Sequence, residues 1–292
     1  MKRAIVITGP TASGKSALAI EVARRLDTHI ISADSRQIYR GIPIVTAVPT
    51  REELAIVPHH LIEVLPLDAY YSASQFEQQA LRLCDEIFAD RDTVVVCGGS
   101  MMYIDAFCNG IDPLPTVPDD IRRQLSALHA ANGNDWLLER LRELDPVYYE
   151  QVDRNNIKRV FHAVEIIMTA GCPYSELRTG RKVERNFEIE KYYIDMPRTL
   201  LFDRINARVD AMVANGLEEE ARTVYSQRGL NSLNTVGLKE MFAYFDGTMD
   251  RVTAIERIKK NTRVYAKKQM TWFARDKELL DATLLRKKIF NG

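Results

Sequence analysis

The run Gly9-Pro10-Thr11-Ala12-Ser13-Gly14-Lys15-Ser16 has the residue types and spacing to hold a polyphosphate. It fits G-x-x-x-x-G-K-[ST], a loop that turns successive backbone N–H groups onto one anion at the positive end of a helix dipole. Lys15 adds a full charge, and the Ser16 hydroxyl can ligate a magnesium ion. A glycine-rich turn without a ligand is the plainer alternative, but lysine and hydroxyl both stand in register. The run points to a polyphosphate and leaves open which one.

Such a loop needs a strand before it and a helix after it. Ala4-Ile5-Val6-Ile7 reads as a buried strand, and Ala17, Leu18, Ala19, Val22 and Leu26 recur at helical spacing. A second strand is expected from His29 to Ala33, running into Asp34-Ser35-Arg36-Gln37-Ile38-Tyr39. Segment 74–90 carries Phe76, Ala80, Leu83, Ile87 and Phe88 at helical spacing, and Thr93–Cys97 is a strand that ends in Gly98-Gly99-Ser100. Alternating strands and helices imply a parallel sheet with ligands at its carboxyl ends, where Asp34 and Ser100 would flank the phosphate loop. The pair His59-His60, in front of Leu61-Ile62-Glu63-Val64, falls on an expected strand, where such a pair is more often structural than metallic. From Asp112-Pro113-Leu114-Pro115 to Pro173 the pattern is helical, and residues 189–195 resume a strand. The expected fold is therefore α/β: a P-loop NTPase-like parallel sheet with flanking helices and an inserted helical lobe. Residues 1–112 and 188–292 would form the core and 113–187 the lobe, with the prolines at 113–118 as one hinge.

Composition narrows the class. The chain has 292 residues, 46% hydrophobic and 27% charged, enough for one large core or a core plus a smaller lobe. Its first residues lead straight into a strand with no secretory pattern, and no apolar run approaches a membrane span, so a cytoplasmic location and no membrane partner are expected. Cys84, Cys97, Cys108 and Cys172 form no C-x-x-C pair and no zinc spacing, which favours reduced thiols. The formal net charge of zero hides a basic stretch: Arg251, Arg257, Lys259, Lys260, Arg263, Lys267, Lys268 and Arg275, opposed only by Glu256. Ile255, Ile258, Thr262, Tyr265, Gln269 and Trp272 step by threes and fours along it as one buried stripe, leaving most of the bases on the far face. A solvated surface would look the same; so one-sided a concentration suggests a polyanion, nucleic acid first.

P-loop NTPases usually hold magnesium with a carboxylate at the end of a second strand. Strand 93–97 delivers Gly-Gly-Ser there, which disfavours ATP hydrolysis as a motor. Small phosphotransferases remain, with enzymes that hold some other diphosphate on the loop. Either would set an acid such as Asp34 opposite the phosphates.

Several runs then occur in order: Gly-Pro-Thr-Ala-Ser-Gly-Lys-Ser, Ile-Ser-Ala-Asp-Ser-Arg-Gln-Ile-Tyr at 31–39, Pro58-His59-His60, Val96-Cys97-Gly98-Gly99-Ser100 and Val236-Gly237-Leu238-Lys239-Glu240. Thr262-Arg263-Val264-Tyr265-Ala266-Lys267-Lys268-Gln269-Met270-Thr271-Trp272 follows. Together they resemble the bacterial tRNA dimethylallyltransferase (tRNA isopentenyltransferase) family, from about residue 4 to 275. The resemblance implies transfer of a dimethylallyl group from dimethylallyl diphosphate to N6 of adenosine 37, beside the anticodon. It implies that the loop from Gly9 through Pro10, Thr11, Ala12, Ser13, Gly14 and Lys15 to Ser16 holds the prenyl diphosphate, with Mg2+ on Ser16. Asp34, Thr11 and Arg208 would be catalytic. Contacts to the anticodon stem-loop would come from Asp34, Ser35, Arg36, Gln37, Ser100 and Arg122, from Lys158, Arg159, Val160, Phe161 and His162, and from Asn234, Thr235, Val236, Gly237, Leu238 and Lys239. A monomer is expected. Departures from the family pattern are Ser100 for a commoner threonine, Val45 for a glycine, Val48 for a lysine, Leu238 for an aromatic residue and His162 for an arginine; they bear on tRNA affinity more than on chemistry.

The implied chemistry explains the residue types. An exocyclic amine turns acidic as its C–N bond forms, so a nearby carboxylate, Asp34, can take its proton. The alternative for Asp34 is an N-cap of a helix at 35–39. Loop N–H groups, Lys15, a magnesium ion and Arg208 would stabilise the departing diphosphate, and Thr11 can donate to its bridging oxygen. Adenine in a stacked loop must flip outward to react. Rival readings are a small-molecule or nucleotide kinase, which needs a lid but no basic helix, a non-catalytic RNA binder, and an adenylate prenyltransferase, which needs no inserted lobe.

Overall fold

The structure, a computed structural model, describes residues 1–180 and 182–290. Strands β1 (Arg3–Thr8), β2 (Ile30–Ser32), β3 (His59–His60), β4 (Thr93–Cys97), β5 (Glu188–Tyr193) and β6 (Leu280–Asp281) form one sheet in the order β3-β2-β4-β1-β5-β6. Every pairing between these strands is parallel. Ala4 and Val6 of β1 face one core with Val94 and Val96, while Ile5 and Ile7 face another with Val95 and Cys97. Both faces are covered, which is why these strands are nearly continuous apolar runs.

One face packs under helices α1 (Lys15–Arg25) and, at the carboxyl end of the chain, Ala282–Phe290, through Leu18, Val22, Leu285 and Ile289. The other face carries α2 (Ala73–Ile87) and α3 (Met101–Asn109), with Phe76 and Phe107 fully buried. A reciprocal cap starts α2: Ser72 Oγ accepts the Gln75 N–H at 3.2 Å and Gln75 Oε1 accepts the Ser72 N–H at 2.9 Å. Such a cap is worth about 1 kcal/mol. Because β4 lies between β2 and β1, the three strand ends that carry Asp34, Gly98–Ser100 and the glycine loop converge. Thr8 Oγ1 donates to the Gly98 carbonyl at 3.0 Å and the Ala33 N–H to Cys97 O at 2.8 Å.

The strand expected at the histidine pair is present and is confined to the two histidines. The histidines themselves pair with β2, and the chain then turns through Leu61 (φ 64) and Glu63 (φ 49). His29 Nδ1 and His60 Nε2 lie 3.0 Å apart, a local pair without metal-ligating company among the described residues.

Contacts divide the chain into two compact units, Met1–Asn109 with Glu184–Gly292, and Gly110–Val183. The second is helical, built on α4 (Asp119–Leu144, broken at Gly133 with φ 81) and α5 (Ile157–Ala170). Its own core includes Leu125, Leu137, Leu141, Val160 and Val164. In the first unit, after β5, follow α6 (Arg198–Ala214), α7 (Leu217–Val224), α8 (Leu238–Phe245) and α9 (Arg251–Phe273). Asp250 caps α9 by accepting the Thr253 N–H at 2.9 Å.

Candidate active site

The glycine loop leaves β1 and enters α1 through Gly14, whose φ of 96 is the left-handed conformation glycine adopts without strain. Lys15 Nζ donates to the Pro10 carbonyl at 2.7 Å, folding the side chain back over the loop. Burial pushes the Lys15 pKa down to about 8, opposed by Cys97 and Asp34 and assisted by Arg208. Ser13 Oγ is buried without a hydrogen-bond partner, the one such side-chain atom among the described residues. A buried hydroxyl in that state is a ready donor to an anionic oxygen. Ser16 stands exposed on the first turn of α1.

Asp34 lies at the carboxyl end of β2, but no helix follows it. Its Oδ1 accepts the N–H groups of Arg36 at 2.8 Å and Gln37 at 3.3 Å, so it closes an Asx turn where a helix cap was the alternative. The turn runs on to Tyr39, which forms an isolated parallel bridge with Leu65. Ser100 Oγ accepts the Ser35 N–H at 2.8 Å, tying this turn to the end of β4. Arg36 and Gln37, expected at the tRNA, have engaged side chains. Arg36 donates to the carbonyls of Asn231, Ser232 and Asn234. Gln37 accepts from Ser32 Oγ and donates to the carbonyls of Thr46 and Ala47.

Thr11, Asp34, Ser35, Arg36 and Arg208 line one cavity of about 520 Å³, together with Asn234–Gly237 and Lys239. Burial lowers the Arg208 pKa, and the Asp34 carboxylate opposes that shift. Tyr265, expected in the buried stripe of α9, is 37% exposed and lines this cavity with Lys268. Arg204, one turn before Arg208 on α6, was not read from the sequence. A Cβ built on Gly14 would stand 3.8 Å from its Nη1, so the guanidinium borders the loop.

Two buried polar side chains were also missed as organisers. Glu220 accepts the N–H groups of Ile44 at 2.7 Å and Val45 at 2.8 Å, and burial, despite these bonds, raises its pKa. Gln269 of α9 accepts the Thr11 N–H at 2.8 Å and donates to the Gly99 carbonyl at 2.9 Å. The sequence signals for Gln269 are a carboxamide on a mostly apolar stripe and its place in the run 262–272. Among the departures, Val45 packs against the backbone of Gly237, where any side chain would collide with it, and Leu238 is fully buried.

The basic face of α9 is partly neutralised. Lys259 pairs with Asp210 at 2.8 Å and Glu256 at 3.1 Å, and Arg251 with Glu218 at 2.8 Å. Arg257, Lys260, Lys267, Lys268 and Arg275 are exposed. In the helical unit Lys158 and Arg159 are exposed on the first turn of α5, while Val160 is buried in that unit's core and Phe161 is half-buried. Glu165, also unread, receives Arg122 Nε at 3.2 Å and His162 Nδ1 at 2.9 Å. Burial works against its charge, yet those two partners hold its carboxyl below the usual range.

No cluster of three metal-ligating side chains occurs among the described residues. A magnesium ion at Ser16 would therefore draw most of its ligands from phosphate oxygens and water, which is how that ion commonly binds. The exposed Ser16 hydroxyl at the loop's helical end is compatible with it.

The family model described as IPP transferase matches residues 37–276. A tRNA dimethylallyltransferase 2 of Parabacteroides distasonis is 52% identical over 279 residues, covering 96% of this chain and 93% of the relative. Among solved structures, the full-length tRNA isopentenylpyrophosphate transferase of Bacillus halodurans aligns at 34% identity with a TM-score of 0.72, over 100% of this chain and 94% of that one. A eukaryotic dimethylallyltransferase acting on tRNA aligns at 26% identity with a TM-score of 0.82, over 100% of this chain and 77% of that one.

Proposed function

The chain belongs to the IPP transferase family, and from that membership we infer that it is a tRNA dimethylallyltransferase acting at N6 of adenosine 37 with dimethylallyl diphosphate as donor. The observation that carries the chemistry is that Thr11, Asp34 and Arg208 line one cavity beside a phosphate loop.

The N–H groups of the loop and the Lys15 ammonium hold the diphosphate, and the buried Ser13 hydroxyl finds an acceptor there. As the bond from C1 to the bridging oxygen breaks, its electron pair leaves with the diphosphate. Thr11 donates a hydrogen bond to that oxygen, and Arg208 offsets the growing negative charge. The N6 lone pair forms the new bond to the allylic C1. Asp34 then accepts the N6 proton, with its backbone bonds on Oδ1 keeping the carboxylate aimed. Magnesium, held by Ser16 and phosphate oxygens, would supply further charge neutralisation of the leaving group.

The tRNA is positioned by exposed bases on α9 and on the first turn of α5, with the reacting adenine flipped from its stack. A tRNA substrate supports a cytoplasmic site of action. The kinase reading is not favoured: β4 ends in Gly98-Gly99-Ser100, without the carboxylate a nucleotide-bound metal usually needs. The test incubates purified protein with undermodified tRNA and dimethylallyl diphosphate, then analyses the nucleosides by mass spectrometry. N6-isopentenyladenosine at position 37 is expected. Phosphate transfer from ATP to a small acceptor, with no prenylated adenosine, would overturn the assignment.

A further inference from the structure

Gln269 is 1% exposed, and the other buried residues of α9 are apolar: Ala254, Ile258, Ala266 and Phe273. A carboxamide so buried is costly unless both ends are satisfied, and here both are. Its oxygen holds the Thr11 N–H at 2.8 Å and its nitrogen holds the Gly99 carbonyl at 2.9 Å. Turning the amide over would set oxygen against oxygen and N–H against N–H, so the partners dictate its orientation. Gly99 has no side chain for a plain reason: a Cβ there would collide with the Gln269 nitrogen. The next residue, Ser100, accepts the Ser35 N–H at 2.8 Å, and Ser35 follows Asp34 directly. One side chain thus links Thr11 on the phosphate loop to the strand end that seats the Asp34 turn.

We propose that Gln269 is a positioning residue that sets the separation between Thr11, at the leaving oxygen, and Asp34, at the attacking amine. This rests on the transfer reaction inferred above. The two groups act on opposite ends of one displacement, so a shift of either spoils the in-line geometry, and a misplacement of about 1 Å can cost roughly 10²-fold in rate. The same helix carries Tyr265 and Lys268 into the cavity wall, so the clasp also sets the register of α9 against the loop.

The experiment measures single-turnover prenyl transfer at saturating tRNA and dimethylallyl diphosphate across the neutral pH range, with separate binding titrations of each substrate. Gln269→Met keeps the side chain's length and removes both hydrogen bonds. It is expected to lower the transfer rate roughly 10²-fold while both dissociation constants stay within about twofold. Gln269→Glu keeps the acceptor for Thr11, and its protonated form regains the donor for Gly99. Burial raises a carboxyl pKa, so the rate of this variant relative to wild type should climb as pH falls, while the ratio for Gln269→Met stays flat. Gly99→Ala pushes the amide away from the other side and should reproduce the Met lesion. A wild-type transfer rate in Gln269→Met would overturn the proposal, as would a pH-independent ratio for Gln269→Glu or a loss confined to substrate binding. Should Gln269→Met not fold, the pH dependence of the Glu variant decides. Wild-type protein that transfers nothing would strike the reaction itself, an outcome none of the variant arms shares.

Discussion

In the proposed reaction Lys15 would make the diphosphate site sensitive to pH. Burial pushes its pKa down to about 8, so it carries a proton below that pH and loses it above. Affinity for dimethylallyl diphosphate should be level below about pH 8 and fall as pH rises through it. Calorimetric titration across that range should show the inflection in wild type and none in Lys15→Met. The linkage to folding has the opposite sense. The unfolded chain binds this proton more tightly between about 8 and the ordinary 10.5, so the stability cost of burying the charged lysine is present below about 8 and vanishes as pH rises through that window. At Asp34, two backbone N–H groups rest on one carboxylate oxygen, and an amide oxygen can accept the same two bonds. Asp34→Asn should therefore keep its melting temperature and its diphosphate affinity, yet lose roughly 10²–10⁴-fold in single-turnover transfer. Near wild-type transfer in that variant would remove Asp34 from the role of base.

At the scale of the element, α9 carries more positive charge than it offers to a ligand. Arg251 and Lys259 are paired with acids on α7 and α6, whereas Lys267 and Lys268 are exposed. Each phosphate contact made to single-stranded RNA adds roughly 0.7 to the slope of log affinity against log salt. Reversing the charge at Lys267 and Lys268 should weaken tRNA binding and flatten that slope by about one unit or more. Lys259→Ala should leave it nearly unchanged. Equal slopes in the double reversal and wild type, measured by filter binding over a salt series, would remove α9 from the RNA interface.

In the proposed reaction the whole molecule would divide its labour between two units. The donor-side residues Thr11, Lys15 and Arg208 and the carboxylate Asp34 belong to the unit that contains the sheet, while Arg122 and Lys158–His162 belong to the helical unit. Lys158 and Arg159 sit exposed on α5, away from that unit's core. Reversing both charges should raise KM for tRNA about tenfold and leave dimethylallyl diphosphate affinity and the thermal melt as in wild type. A change in donor binding would mean that the units do not act separately.

The amino-acid sequence by itself determined the features written in local patterns. The glycine loop between a strand and a helix, the apolar runs of β1 and β4 and the helical character of residues between 112 and 173 all depend on neighbours within a few positions. The parallel sheet followed from their alternation, because parallel strands need crossovers. Tertiary structure alone decided which side chains meet across long stretches of chain. The partners of Gln269 lie 258 and 170 residues away, and no period along α9 distinguishes a carboxamide that clasps a loop from one at a solvent edge. Tyr265 has the spacing of a core residue, yet it lines the cavity beside residues that lie 29 to 254 positions away in sequence, from Val236 back to Thr11. Asp34 has the composition of a helix cap, but its carboxylate closes a turn on the Arg36 and Gln37 N–H groups and the chain goes on to pair Tyr39 with Leu65. Local propensity and periodicity are carried by adjacent residues and are legible in order. Hydrogen-bond satisfaction in a packed interior is settled among groups that only the fold brings together.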